Sequence, residues 1–129
     1  MVEGTKSLSI LSPEHRITAS QLAAELNDLQ KLGAPFFLLD VRPAVQFSTS
    51  RLTSAVNFPI EVAKRRLDDI VKAVEAVGHG APTFVLCRRG NDSQIVAKQL
   101  LDRGVVNVRD LVGGMTSWSK EIDACVPVL

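Results

Sequence analysis

The chain predicts an α/β fold: a central, mostly parallel five-stranded sheet with helices on both faces. Short, nearly all-apolar runs alternate along the sequence with longer amphipathic stretches, the order that builds strand–helix–strand units. The apolar runs lack the in-out alternation of a half-exposed strand, which predicts burial on both faces. Glycine or proline punctuates most of the junctions.

Ile17 and Thr18 read as a short first strand running into a helix cap. Thr18 or Ser20 can cap a helix holding Leu22, Ala23, Leu26, Leu29 and Leu32 at helical spacing, stopped by Gly33 and Pro35. Phe36 to Val41 is the second strand, and Pro43 after it favours a turn or a first helical position. Ala55 to Phe58 is the third strand, closed by Pro59. Ile60 to Val77 reads as one amphipathic helix, with Ile60, Ala63, Leu67, Ile70 and Val74 on its apolar stripe. Gly78, Gly80 and Pro82 end it. A strand over 83–87 and a helix over 93–103 follow, then a last strand from Val105 to Leu111. Gly113-Gly114 turns the chain into a short final helix with Met115, Trp118 and Ile122. Residues 1–14 are polar and predict a flexible arm or linker, leaving 15–129 as the domain.

Composition narrows the function. A chain of 129 residues forms one domain, able to bury about two-thirds of its unfolded surface. The net charge of +1 supplies no field for nucleic acid or a membrane surface, and the absence of tyrosine weakens a stacking platform for single strands. No apolar run approaches ~18 residues, so no membrane span is expected. Cys87 and Cys125 are too few for a disulfide scaffold and lack zinc spacing. That usage suits the reducing cytoplasm. His15 and His79 are isolated, so no metal is expected.

The chemistry concentrates in Cys87-Arg88-Arg89-Gly90-Asn91-Asp92-Ser93. Here a strand ends in a thiol, a short polar loop follows, and a helix begins. Reactive groups in parallel sheets sit at such strand ends. Backbone N–H groups and the helix dipole there stabilise negative charge on the sulfur. Arg88 and Arg89 add positive charge, and Gly90 permits the tight path that turns donors inward. The pattern predicts a nucleophilic sulfur at Cys87. Cys125, in the tail, has no such setting.

Four segments resemble the rhodanese (sulfurtransferase) family over about residues 15–127. Leu38-Leu39-Asp40-Val41-Arg42 is similar to the family's L-x-D-x-R strand end. Ala55-Val56-Asn57-Phe58-Pro59 is similar to the close of its G-H-I-x-G-A-x-N-x-P segment, where Ser50, Arg51 and Ser54 replace the first glycine, the histidine and the second glycine. The third is the six-residue cysteine loop, and the fourth is Leu111-Val112-Gly113-Gly114-Met115 with Trp118 and Pro127. CRRGNDSQ with Val108-Arg109-Asp110-Leu111 further resembles the C-terminal sulfurtransferase domain of enzymes that fuse it to a ubiquitin-activating-like adenylyltransferase.

The resemblance implies that Cys87 carries a persulfide, cradled by the loop from Arg88 through Ser93. It implies a ubiquitin-like sulfur carrier as acceptor and a cysteine desulfurase or other persulfide donor, serving tRNA thiolation or molybdopterin synthesis. No cofactor is implied in this domain, since ATP and zinc would belong to the adenylyltransferase domain. Arg88 and Arg89 are expected to hold an acidic partner surface or an acyl-adenylate phosphate. Asp92 is expected either to repel a small dianion such as thiosulfate or to cap the following helix. Asp40 and Arg42 are expected to form a structural pair, and Arg51 to face either the site mouth or solvent. A thiosulfate sulfurtransferase and a non-catalytic partner-binding module are the alternatives. A phosphatase of this fold needs C-x5-R, and the sixth position after Cys87 is Ser93.

Overall fold

The computed structural model describes residues 10–124. Strands β1 (Arg16–Ile17), β2 (Phe37–Asp40), β3 (Val56–Asn57), β4 (Thr83–Leu86) and β5 (Val108–Leu111) form one sheet in the order β1-β5-β4-β2-β3. Every pairing is parallel. The helices are α1 (Ala19–Leu32), α2 (Ala44–Thr49), α3 (Ile60–Arg65), α4 (Leu67–Val77), α5 (Asp92–Asp102) and α6 (Gly114–Glu121).

Alternation along the central strands divides the core. Leu39, Val41, Val85 and Cys87 join Ala63, Ile70 and Val96 in the cluster beneath α3, α4 and α5. Leu38, Phe84 and Leu86 join Leu22, Met115 and Trp118 in the cluster beneath α1 and α6. The strand parity that buries Val85 against α5 carries on to Cys87, so the thiol lies on that face. Trp118 is a core residue of the other face.

Local chemistry explains most boundaries. Thr18 caps α1 in a reciprocal pair with Gln21: the Gln21 N–H donates to Thr18 Oγ1, and the Thr18 N–H donates to Gln21 Oε1. Gly33 ends α1 at φ 64°, and the Ala34 N–H donates back to the Leu29 carbonyl.

Several expectations change. The single helix over 60–77 is two helices, broken at Arg66 (φ −118°, ψ 36°), whose carbonyl accepts from the Asp69 N–H while its guanidinium pairs with the Asp69 carboxylate at 2.7 Å. No glycine or proline marks this break, and the apolar stripe runs through it, so periodicity cannot show it. The last strand starts at Val108 rather than Val105, because Asn107 adopts φ 60° and ends the extended path. Its side-chain amide donates to the Gly80 carbonyl at 3.0 Å, which ties that turn to the α4–β4 loop. A short helix, α2, follows Pro43, which stands at its N-cap. In the segment expected as an arm, Leu11 is buried in the core and Pro13–His15 forms a 3-10 turn. Cys125 and Pro127 lie outside the described residues.

A buried ion pair closes the C-terminal end of β2. Asp40 is 0% and Arg42 2% exposed. Arg42 donates from Nε and Nη2 to the Asp40 carboxylate at 2.7–3.1 Å, and from Nη2 to the Ser50 carbonyl at 2.6 Å. Its backbone N–H donates to Asp40 Oδ1 at 2.9 Å. The Asn57 amide donates to the carbonyls of both residues, linking β3 to the same knot. Asp40 and Arg42 thus pair with each other and with the backbone around them. Asp40→Ala leaves a buried guanidinium uncompensated and is expected to cost about 3–5 kcal/mol of unfolding free energy. Lys98→Ala, which removes the exposed pair with Asp102, is expected to cost under about 1 kcal/mol. Urea unfolding of both variants measures the contrast, and equal losses would refute it.

Candidate active site

The site is a collision between two loops that glycine makes possible. Cys87 follows β4, and its loop lies on the turn between β5 and α6. A Cβ on Gly114 (φ 58°) would stand 2.4 Å from the Cys87 carbonyl oxygen, and a Cβ on Gly90 (φ 92°) 2.8 Å from the Gly113 nitrogen. No side chain fits at either position. The close approach lets the Met115 N–H donate to the Cys87 carbonyl at 2.9 Å, and the Thr116 N–H to the Arg88 carbonyl at 3.0 Å. Thr116 Oγ1 also donates to the Arg88 carbonyl at 3.0 Å. The start of α6 thus satisfies two loop carbonyls. In a trans peptide N–H and C=O point oppositely, so the Arg88 and Arg89 N–H groups face away from α6.

The sulfur is buried, with Cys87 only 4% exposed. The Gly90 N–H donates to Sγ at 3.0 Å. Of the ring of amides expected from Arg88 through Ser93, this is the one that reaches Sγ itself. Ser93 instead comes in through its side chain, with Oγ 3.4 Å from Sγ. The loop path is fixed through Gly90, whose carbonyl accepts from Gln94 Nε2 at 2.8 Å and Arg16 Nη2 at 3.4 Å. Gln94 Oε1 in turn accepts from the Ile10 N–H at 2.9 Å, which ties the N-terminal segment to the loop.

Ser93 Oγ donates to Asp110 Oδ2 at 2.9 Å. Asp110, on β5, is 0% exposed and is clamped by Arg16 from β1, with Nε to Oδ1 at 2.8 Å and Nη2 to Oδ2 at 3.1 Å. Sequence reasoning missed Asp110, Arg16 and Gln94 as site residues. The available signal was parity: Val108 and Asp110 share one face of β5, so a carboxylate sits at an inward position of a buried strand.

Cys87, Arg88, Arg89, Asn91 and Asp92 line a shallow pocket of about 190 Å³. Arg88 is half-buried, and its Nε is buried without a hydrogen-bond partner among the described residues. Arg89, Asn91 and Asp92 are exposed. Asp92 is the first residue of α5, and the N-cap position, Asn91, makes no side-chain cap bond. Asp92 also lines the pocket, and in the first turn of α5 its carboxylate favours the helix dipole. Arg51 does not join this group. It lies over the Phe47 ring at 5.0 Å and lines a separate groove with α1 and α6 residues, including Leu26 and Trp118. Asp40 and Arg42 sit one strand over, at the end of β2.

Chemically, the arrangement places one nucleophilic atom at the floor of a small, positively rimmed pocket, with an amide donor on the sulfur and no acid–base residue in the pocket besides Asp92.

Comparison with known proteins agrees. The chain is 34% identical over 122 residues to Adenylyltransferase and sulfurtransferase MOCS3-2 of Zea mays, covering 95% of this chain and 24% of that protein. It is 34% identical over 126 residues to Adenylyltransferase and sulfurtransferase UBA4 of Debaryomyces hansenii, covering 96% of this chain and 28% of that protein. The chain therefore spans about a quarter of the length of these curated relatives. The crystal structure of a rhodanese-related protein from Thermoplasma volcanium superimposes with a TM-score of 0.64 at 23% identity, over 89% of this chain and 97% of that one. The model of the rhodanese-like domain matches residues 18–121, a span that includes the whole cysteine loop and its α6 support, and the chain belongs to that family.

Proposed function

We propose that this domain is a sulfurtransferase that carries a persulfide on Cys87 and delivers the outer sulfur to the C-terminal glycine of a ubiquitin-like sulfur carrier. The observation that carries the reading is the Cys87 sulfur itself, held under an amide donor at the floor of an arginine-rimmed pocket. Support for the acceptor comes from the relatives, whose names join sulfurtransferase to adenylyltransferase activity in one protein. An adenylyltransferase domain would supply a carrier whose terminal carboxyl is activated as an acyl-adenylate. The downstream pathways are tRNA thiolation and molybdopterin synthesis, in the cytoplasm. Among the described residues no helix is long and apolar enough to cross a membrane.

In the loading step Cys87 Sγ bonds to the outer sulfur of a donor persulfide, such as that of a cysteine desulfurase. The donor's S–S bond breaks, its electron pair stays on the donor cysteine, and the Cys87 proton passes to that departing thiolate. The loaded sulfur is anionic at neutral pH and needs donors rather than a base, which loop amides and the arginines provide. It then attacks the acyl-adenylate carbonyl and AMP departs. Two thiol equivalents release the thiocarboxylate and return Cys87 to a free thiol.

Thiosulfate is a poorer donor for this pocket. A dianion must pass the Asp92 carboxylate, which no partner among the described residues neutralises.

Cys87→Ser is expected to abolish the +S adduct seen by mass spectrometry after donor treatment; an adduct retained on the variant would move the site. Asp92→Thr is expected to raise thiocyanate formation from thiosulfate and cyanide roughly fivefold, for about 1 kcal/mol of screened repulsion removed. No gain would remove the electrostatic role of Asp92. Arg88→Ala with Arg89→Ala is expected to slow transfer to a carrier ending in Gly-Gly by about tenfold or more, the loss of a charge-assisted contact, while loading of Cys87 changes little. Equal losses in the two steps would reject an acceptor role for the arginines.

A further inference from the structure

Four groups in a row leave no choice of hydrogen-bond direction. A guanidinium only donates and an ionised carboxylate only accepts. Arg16 therefore donates to Asp110, and Asp110 can only accept from Ser93 at 2.9 Å. The Ser93 hydroxyl has one proton, and it is committed to Asp110. Toward Cys87, 3.4 Å away, Ser93 can offer only a lone pair. Its partner must then be the S–H proton. The sulfur's remaining need is met by the Gly90 N–H at 3.0 Å. Ser93 and Asp110 are both 0% exposed.

We propose that Asp110 is a positioning residue that turns Ser93 into a proton acceptor and so holds the unloaded Cys87 as a thiol. A carboxylate is intrinsically a far weaker base than a thiolate, so the row orients the proton and does not remove it. The consequence differs between the two states of the sulfur. On the empty protein, charge at Sγ would face the Ser93 lone pair and, behind it, a carboxylate. On the loaded protein, Sγ is the inner sulfur, has no proton and bears no charge. The charge then sits one S–S bond, about 2 Å, farther out, toward the pocket lined by Arg88 and Arg89. The row thus disfavours an anion on the empty sulfur while permitting one on the cargo. The inference rests on Cys87 being the sulfur carrier.

Other charged groups near the site do not supply this directionality. Arg88, Arg89 and Asp92 line the outer pocket. Asp40 and Arg42, on the flanking strand, neutralise each other. On α3, Glu61, Lys64 and Arg65 are exposed. The first turn of α6 has no acidic residue, and its one basic group, Lys120, lies in the last turn.

The test is the pH dependence of Cys87 alkylation by iodoacetamide, followed by mass spectrometry on the full chain. Ser93→Ala removes the acceptor of the thiol proton and is expected to move the midpoint down by roughly 0.5–1 pH unit. A Ser93 that donated to the anion would instead give an upward shift, and an upward or absent shift overturns the proposal. Asp110→Ala removes the carboxylate that accepts the Ser93 proton and frees the hydroxyl to donate to the sulfur. Adding Ser93→Ala to Asp110→Ala is then expected to raise the midpoint, the opposite sign to its effect alone. The same sign in both backgrounds overturns the role of Asp110. If Asp110→Ala does not fold, as judged by its thermal transition, Ser93→Ala alone decides. Persulfide loading of each variant is weighed in parallel: retained loading with an unmoved midpoint sinks only this inference, whereas loss of loading on Cys87 in the unmodified protein sinks the sulfurtransferase reading.

Discussion

The contact between the cysteine loop and the β5–α6 turn is the constraint on which the site depends. Two polypeptide backbones meet there at a distance that admits no side chain on Gly90 or Gly114. The approach does two jobs at once. It gives the Cys87 and Arg88 carbonyls to N–H groups at the start of α6, where those N–H groups would otherwise lack intrahelical partners. It also sets the tilt of the loop peptides, so the Gly90 N–H ends on the sulfur. Loop shape, helix capping and sulfur chemistry are therefore one interaction seen from three sides. A larger residue at either glycine would push the loop off α6 and turn the donors with it.

The strand order puts β4 between β5 and β2, and each neighbour carries a buried carboxylate at or near its C-terminal end. Asp110 is held by Arg16 and Asp40 by Arg42. The two pairs differ in what they do. Asp40 and Arg42 spend their remaining hydrogen bonds on backbone around α2 and β3 and so brace the sheet edge. Asp110 spends its third bond on Ser93, and through it reaches the sulfur. Buried ion pairs are weak sources of stability because desolvation offsets attraction. Their place on either side of the Cys87 strand fits a role in fixing geometry, where a pair of apolar residues would offer no direction to a hydroxyl.

Much of this was legible in the sequence because its signals are local. The apolar runs at 36–41 and 83–87, the Thr18 cap, Gly33 and the cysteine loop each state their structure within a few residues. The break at Arg66 was not legible, since the apolar stripe from Ala63 to Ile70 continues through it and no breaker residue stands there. The true start of β5 was hidden in Asn107, whose left-handed conformation depends on a side-chain bond to Gly80, far away in sequence. The site divides in the same way. Cys87 and its loop were found from contiguous residues. Arg16, Gln94 and Asp110 were not, because they become neighbours of the loop only when β1, β5 and α5 assemble. The family segment alone leaves Arg51 open to the site mouth or to solvent, and its guanidinium lies over Phe47.

The size of the pocket and the burial of its sulfur limit what can exchange sulfur here. About 190 Å³ above a thiol that is 4% exposed leaves room for a narrow projection and not for a folded surface. A donor must present its sulfur on a side chain that can extend into the pocket, and under the proposed reading the acceptor would present its carboxyl at the end of an extended backbone. A chain terminus of glycines meets the second condition because it has no side chains to clear the rim formed by Arg88, Arg89 and Asp92. Affinity for such a tail alone would be small, since so little of it is buried. Under that reading the rest of the recognition would come from surfaces outside the pocket. A small, shallow, charge-rimmed site over a buried sulfur offers little surface for telling substrates apart, so under the proposed reading substrate choice lies with the protein that does the delivering.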